Sequence, residues 1–281
     1  MRTEVRMTLV FLLLGAPCAA VHLSPAARAA FDEYIAGVEK RLVRQHSSPE
    51  TFIAALDRDQ TNADATERDL RSGTVGTQAI NGGSWPVSGG LMHHWRAAAF
   101  VHGATRDDML ALLDDYNHLS SYYRPDVVSS RVIGKEGAVV TLAMRLKKQV
   151  AVTVVFDAEY RVQAGLIATN RGYGGGYGYS RSAHIWQVDA PDTPHEHRRR
   201  EGDDDGFLWR MNAYWSFLQV RDGLIIECEA ISLTRDVPPG LGWLVTPILK
   251  GFPRTSLEST LIATRNALSS RAHRAHEKEQ R

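Results

Sequence analysis

The chain has 281 residues, 43% of them hydrophobic and 23% charged, with 33 lysines and arginines against 32 aspartates and glutamates. This composition is too apolar for a disordered chain and too poor in glycine and proline for a fibrous one. A formal charge of +1 supplies no uniform basic field, so no nucleic-acid partner is expected, and the length allows one large domain, or a medium one with an extension, with a real core.

Residues 1 to 20 read as a secretory signal peptide: Arg2 and Arg6 give a positive start, Met7 to Leu14 are almost wholly apolar, and Cys18 and Ala20 set small residues at a cleavage point. The apolar run is shorter than the roughly 18 residues of a membrane span, and Pro17 before Cys18 does not suit a lipoprotein signal. The expectation is an exported soluble bacterial protein, periplasmic or secreted. Loss of this segment would leave equal numbers of basic and acidic residues and a single cysteine, Cys228, so no internal disulfide is expected.

Ser24-Pro25 predicts a helix start, followed by an apolar stripe of Phe31, Tyr34, Ile35, Val38 and Leu42. Residues 47 to 69 are polar, with a short helix around Phe52 to Leu56, and the glycine-rich stretch Ser72 to Gly90 predicts a hairpin or linker. Leu91 to His102 reads as a strand. Thr105-Arg106-Asp107-Asp108 opens a capped helix with Met109, Leu112 and Leu113 on one face, and a second helical piece covers Tyr116 to Tyr123.

Next comes a strand from Val127 to Ile133, and then two with clean alternation: Val140, Leu142, Met144 and Leu146 on one parity, and Val150, Val152, Val154, Phe156 and Tyr160 on the other strand's. Their opposite faces carry Arg145, Lys147, Asp157, Glu159 and Arg161, which predicts antiparallel sheet wetted on one side. Arg171 to Tyr179 reads as a glycine-tyrosine loop near a cavity mouth, leading to a strand over Ser180 to Val188 and a polar loop from Asp189 to Gly206. The last hairpin sets Phe207, Trp209, Met211, Trp215 and Phe217 on one parity, and Leu224, Ile226, Cys228 and Ala230 on another, with Glu227 and Glu229 expected to face out. Arg221-Asp222-Gly223 supplies its turn. A short helix over Leu241 to Leu249 is expected to break at Gly251-Phe252-Pro253. A long one follows from about Thr255 to Ser270 with Leu257, Leu261 and Leu268 on one face, and the charged residues 271 to 281 are expected to fray.

The chemistry-bearing motifs are weak against plainer readings. Gly172 to Gly178 lacks the following helix that a phosphate cradle needs. His195-Glu196-His197 sits beside Arg198, Arg199 and Arg200, His273 and His276 lie on the charged tail, and neither pair has a third ligand at suitable spacing, so no metal and no cofactor is expected. There is no Gly-x-Ser-x-Gly elbow, and Cys228 sits on an apolar parity.

The segment Gly103 to Gly134, with its helix, aromatic-proline bend and strand, resembles the opening of START-like proteins of the SRPBCC superfamily. Phe207 to Phe217 together with Glu229 to Leu244 is similar to the final hairpin and helix of exported bacterial members. The resemblance covers roughly residues 91 to 270 and implies an α+β, helix-grip fold: a curved antiparallel sheet of about seven strands around a long C-terminal helix. The implied division is a signal peptide over 1 to 20, a helical extension and glycine-rich hairpin over 21 to 90, the ligand-binding domain over 91 to 270, and a tail over 271 to 281. It also implies a cavity of about 300–1,000 Å³.

The expected wall is Met144, Leu146, Val152, Val154, Trp209, Met211, Trp215 and Cys228, facing Leu257 and Leu261. The expected function is binding of a hydrophobic small molecule or lipid, as an envelope carrier or transfer protein in transient contact with a membrane. The alternative is a cyclase- or dehydratase-like enzyme in the same cavity, using Arg210, Tyr214, His184 or Arg181, with Tyr179 near the cavity. A third reading has residues 24 to 70 docking onto another protein.

Overall fold

The structure is a computed structural model that describes residues 21–56, 63–149, 153–167, 174–236 and 242–279. The predicted signal segment, Val150 and Val152 lie outside these residues, as does the start of the glycine-tyrosine stretch.

Helix α1 (Pro25–Gln45) starts where the sequence placed it: the Ser24 hydroxyl accepts the Ala27 N–H at 3.0 Å, and Pro25 takes the first position. Short helix α2 (Ala63–Arg71) follows. Between the two sheet-forming parts of the chain lie α3 (Arg106–Leu113), which carries the predicted Thr105–Asp108 capping box, and α4 (Leu119–Tyr123). The long strands are β2 (Gly76–Val87), β3 (Gly90–His102), β4 (Val127–Glu136), β5 (Val139–Gln149), β6 (Thr153–Ile167), β7 (Gly175–Asp189), β10 (Arg210–Val220) and β11 (Gly223–Thr234). Three two-residue strands, β1 (Val21–His22), β8 (His197–Arg198) and β9 (Asp203–Asp204), tie down the N-terminus and the polar loop.

The eight long strands form one antiparallel sheet in the order β2-β3-β11-β10-β7-β6-β5-β4, with helix α5 (Gly242–Glu279) on its inner face. This is the α+β, helix-grip architecture that the resemblance implied, an antiparallel sheet packed on a long C-terminal helix. The sheet has one edge strand more than predicted, because Ser72 to Gly90 realises the hairpin: β2 pairs along β3 from Gly76 opposite Ala98 to Val87 opposite Gly90.

Helix α5 differs from expectation in two ways. It runs through Gly251 and Pro253 without ending, and the Thr255 hydroxyl donates to the Gly251 carbonyl at 2.9 Å beside the residue that has no N–H of its own. It also continues past Ser270: Ala272 is buried, and Arg271 donates to the Tyr122 hydroxyl at 2.8 Å. The predicted stripe of Leu257, Leu261 and Leu268 is buried against Val101, Ala99 and Phe217 on the inner sheet face. Among the described residues no helix is long and apolar enough to cross a membrane.

The outer face of the sheet is not wetted where β3, β10 and β11 cross it. Helix α1 lies there, burying Ala27, Phe31, Ile35, Val38 and Leu42 against Met92, Tyr214, Ile231 and Leu233. Glu227 and Glu229, expected to face solvent, are each 1% exposed. Period-two alternation gave the correct face, but a strand pattern does not say what covers that face.

Glu229 accepts from Arg41 of α1 at 2.5 Å, from His94 Nε2 at 2.9 Å, and from Arg96 Nε and Nη2 at 3.1 and 3.0 Å. Burial opposes its charge, but the His94 hydrogen bond and the guanidiniums of Arg96 and Arg41 outweigh burial and hold the carboxyl at about 2. Tyr34 of α1 donates to the other His94 nitrogen at 2.8 Å. Glu227 accepts the Ala54 and Ala55 N–H groups at 3.2 and 2.7 Å, and burial pushes its pKa up. The helical segment that the third reading offered to a partner is thus folded onto its own sheet.

Burial also lowers His93 to about 4, and burial with the Arg41 charge lowers His46 to about 4, both from an ordinary 6.5. Below 6.5 these two histidines take up protons in the unfolded chain that the folded chain refuses, so they cost nothing above that pH and lower stability as pH falls toward 4. Glu229 adds a second loss as pH drops through the ordinary carboxylate range toward about 2. Urea midpoints measured at about pH 7.5, 5.5 and 4.5 are expected to fall in that order, and a flat series would contradict this assignment.

Candidate functional site

The inner faces of β5, β6, β10 and β11 leave space beneath α5 because several inward residues are small. Ala213 alternates with Met211 and Trp215 on β10, and Ala230 and Ser232 follow Cys228 on β11. Larger apolar side chains at these positions would close the gap. The space has two lobes, of about 120 Å³ and about 190 Å³, which meet along Lys148, Met211, Ala213, Trp215 and Thr260. Each lobe is below the expected range of about 300–1,000 Å³.

The first lobe is walled by Val154, Phe156, Phe207, Leu208, Cys228 and Leu257, with His93, Ser232, Thr234 and Ser256 as polar neighbours. The second is walled by Leu142, Met144, Leu146, Tyr160 and Val162 from β5 and β6, and by Leu113, Tyr116, Leu119 and Tyr123 from the helical segment. Tyr123 donates to or accepts from the Thr264 hydroxyl at 3.0 Å, and its phenol is pushed up to about 12, chiefly by burial. Burial likewise pushes the Cys228 thiol well above its usual value.

Of the predicted wall, Met144, Leu146, Val154, Met211, Trp215, Cys228 and Leu257 line one or both lobes. Leu261 packs in the core beside Cys228 and Leu257 without lining either, and Val152 lies outside the described residues. Trp209 is on the other side of the sheet. It precedes β10, its N–H bonds the Leu233 carbonyl at 2.9 Å, and its indole packs with Phe31, Met92 and Leu233 under α1 while donating to Asp204 at 3.1 Å. Parity assigned from Met211 does not hold beyond the strand's first residue.

None of Arg210, Tyr214, His184 and Arg181 lines the cavity. Arg210 and His184 pair with Glu201, while Tyr214 and Arg181 pair with Glu39 of α1. Tyr179 contributes to the second lobe's wall, but its ring packs against Tyr177 and Tyr214. Glu196, between His195 and His197, is held by Arg145, and among the described residues no three His, Cys, Asp or Glu side chains cluster as a metal site.

Sequence reasoning missed Lys148 and His93. Lys148 continues the inward parity of Val140, Leu142, Met144 and Leu146, so its direction was legible, but its charge masked the pattern. His93 shares parity with Ala97, Ala99 and Val101, and sits between the hydroxyls of Ser84 at 2.8 Å and Thr234 at 3.0 Å.

The glycine-tyrosine stretch is strand from Gly175 onward, not loop. Gly176 and Gly178 face inward and Tyr177 and Tyr179 outward, while Gly175 faces Phe52 on the outer side. A Cβ at Gly176 would stand 2.2 Å from Phe217 Cζ, and one at Gly178 2.9 Å from Leu113 Cδ1. Gly176 thus admits Phe217 into the core, and Gly178 admits Leu113 of the second lobe's wall.

No protein-family model matches the chain, and no curated protein matches it. Among solved structures, a STAR-related lipid transfer protein from Xanthomonas axonopodis is 17% identical, over 68% of this chain and 99% of that one, with a TM-score of 0.39. A START superfamily protein from Mycobacterium smegmatis is 10% identical over 63% and 98%, with a TM-score of 0.41. An aromatase/cyclase from Streptomyces sp. R1128 is 13% identical over 65% and 94%, with a TM-score of 0.37. At such TM-scores these likenesses carry no argument about ligand or activity.

Replacing Gly176 by Ala is expected to lower unfolding stability by about 1–3 kcal/mol through overpacking against Phe217. Urea denaturation reads this directly, and an unchanged midpoint would mean that the packing of Phe217 over Gly176 is not tight.

Proposed function

We propose that the protein binds a hydrophobic small molecule or lipid in the two-lobed cavity between the sheet and α5, and that residues 1 to 20 direct its export, so that it acts as a carrier in the cell envelope. The observation that carries this reading is the cavity wall. Residues from every long strand but β2, from the α3–α4 segment and from α5 converge on the two lobes, and most of them are apolar. Moving each methylene of a chain-like ligand out of water into such a wall contributes about 0.8 kcal/mol, so a modest chain suffices for useful affinity. The four polar residues considered for catalysis point to other partners, which favours carriage over chemistry.

Native mass spectrometry and organic extraction of the protein purified from its own cells are expected to release a co-purifying apolar molecule. The neutral fluorophore N-phenyl-1-naphthylamine is expected to bind. Ala213→Phe, placed where both lobes meet, should weaken that binding by about tenfold or more, which corresponds to about 1.4 kcal/mol, while the thermal unfolding midpoint stays within a few degrees. A protein that is repeatedly empty and refuses the fluorophore would overturn the reading.

A further inference from the structure

We propose that the cavity selects an electrically neutral ligand carrying a hydrogen-bond acceptor oxygen, an alcohol or carbonyl compound rather than a free carboxylate, and that Lys148 receives that oxygen where the two lobes meet. This inference rests on the binding reading above and names the ligand's chemistry.

Among the described residues, Lys148 is the one charged side chain common to both lobes, and its side chain is 12% exposed. Its ammonium joins three parts of the fold. It donates to Asp126, just ahead of β4, at 2.5 Å, and to the Ser256 hydroxyl of α5 at 2.8 Å, while its own backbone lies in β5. An ammonium has three N–H donors. Two are committed, and among the described residues no acceptor takes the third. The geometry thus offers a single charge-assisted donor at the waist of an otherwise apolar space.

Charge decides what that donor accepts. Among the described residues, Asp126 and Lys148 are the only Asp, Glu, Lys or Arg side chains lining either lobe, and they pair with each other. His93, the remaining titratable cation in the lining, is held neutral by burial between Ser84 and Thr234. The lining is therefore formally neutral before anything binds. A ligand carboxylate drawn to Lys148 would bring a second anion beside Asp126, within walls that lower the local dielectric and strengthen the repulsion. A hydroxyl or carbonyl oxygen takes the third N–H and disturbs no charge balance.

Displacement of N-phenyl-1-naphthylamine by 1-dodecanol and by dodecanoate, at about pH 8 where the acid is ionised, separates the two cases. The native protein is expected to bind dodecanol about tenfold tighter than dodecanoate. Lys148→Met should weaken dodecanol about fivefold or more relative to the fluorophore measured on the same variant. Asp126→Asn leaves the ammonium without its carboxylate and should reverse the preference toward dodecanoate; this near-isosteric change keeps the test open if the Lys148 variant does not fold. Equal or tighter binding of dodecanoate to the native protein would overturn the inference, as would an unchanged preference in Asp126→Asn. If the fluorophore and both chains bind without head-group discrimination, only this inference falls. If none of the three binds, the binding reading falls with it.

Discussion

The carboxylate of Glu229 lies on β11, an interior strand of the sheet, beneath a helix and almost wholly withdrawn from water. An ion in that position is tolerated only while its counter-charges are held against it, and removing one partner of a buried pair costs about 3–5 kcal/mol. Two of its partners, His94 and Arg96, come from the neighbouring strand, and the third, Arg41, comes from α1. Helix α1 is therefore a structural layer of the domain, although its apolar stripe read in isolation resembles a detachable extension. Tyr34, Glu39 and Gln45 extend the same bonding along the helix to His94, Tyr214 and Glu227.

This outer layer makes the inner one affordable. Space that no side chain fills forgoes the contacts a packed core would make, so the two lobes cost the domain some stability. Strands β3, β10 and β11, clamped from outside by α1, keep their curvature without a full set of inward contacts. Ala213, Ala230 and Ser232 stay small, and α5 rests on Leu257, Leu261 and Leu268 instead of sinking into the sheet. A ligand that fills the lobes supplies the missing contacts, and this couples binding to stability.

Much of this was legible in the sequence because period-two alternation reports which side chains share a face. Alternation puts Met144, Leu146, Val154, Met211, Trp215 and Cys228 on one inner face and helical spacing aligns the leucines of α5, while the cavity between them is what the family resemblance implies. Alternation fails where it must also say what lies opposite. Glu227 and Glu229 looked solvated because nothing in β11 announces that α1 returns to cover them. Trp209 looked inward because the first residue of β10 was not legible to within one position. Lys148 and His93 were passed over because polar residues on an apolar parity register as noise, although a polar group facing inward is what fixes a ligand's orientation. Gly251-Phe252-Pro253 looked like a break because local propensity outweighed tertiary packing in the reading, whereas in the fold the helix continues through it.

The central claim is that ligand enters between the inner sheet face and α5, and methionine methyl groups sample both sides of that sheet. Met144 lines the second lobe and Met211 lines both, while Met92 lies on the outer face with Trp209 under α1. In carbon-13 methyl-methionine NMR of the full chain, titration with N-phenyl-1-naphthylamine is predicted to shift the Met144 and Met211 resonances and leave Met92 in place. Shifts confined to Met92, or binding that moves none of the three, would place the ligand elsewhere and contradict the account.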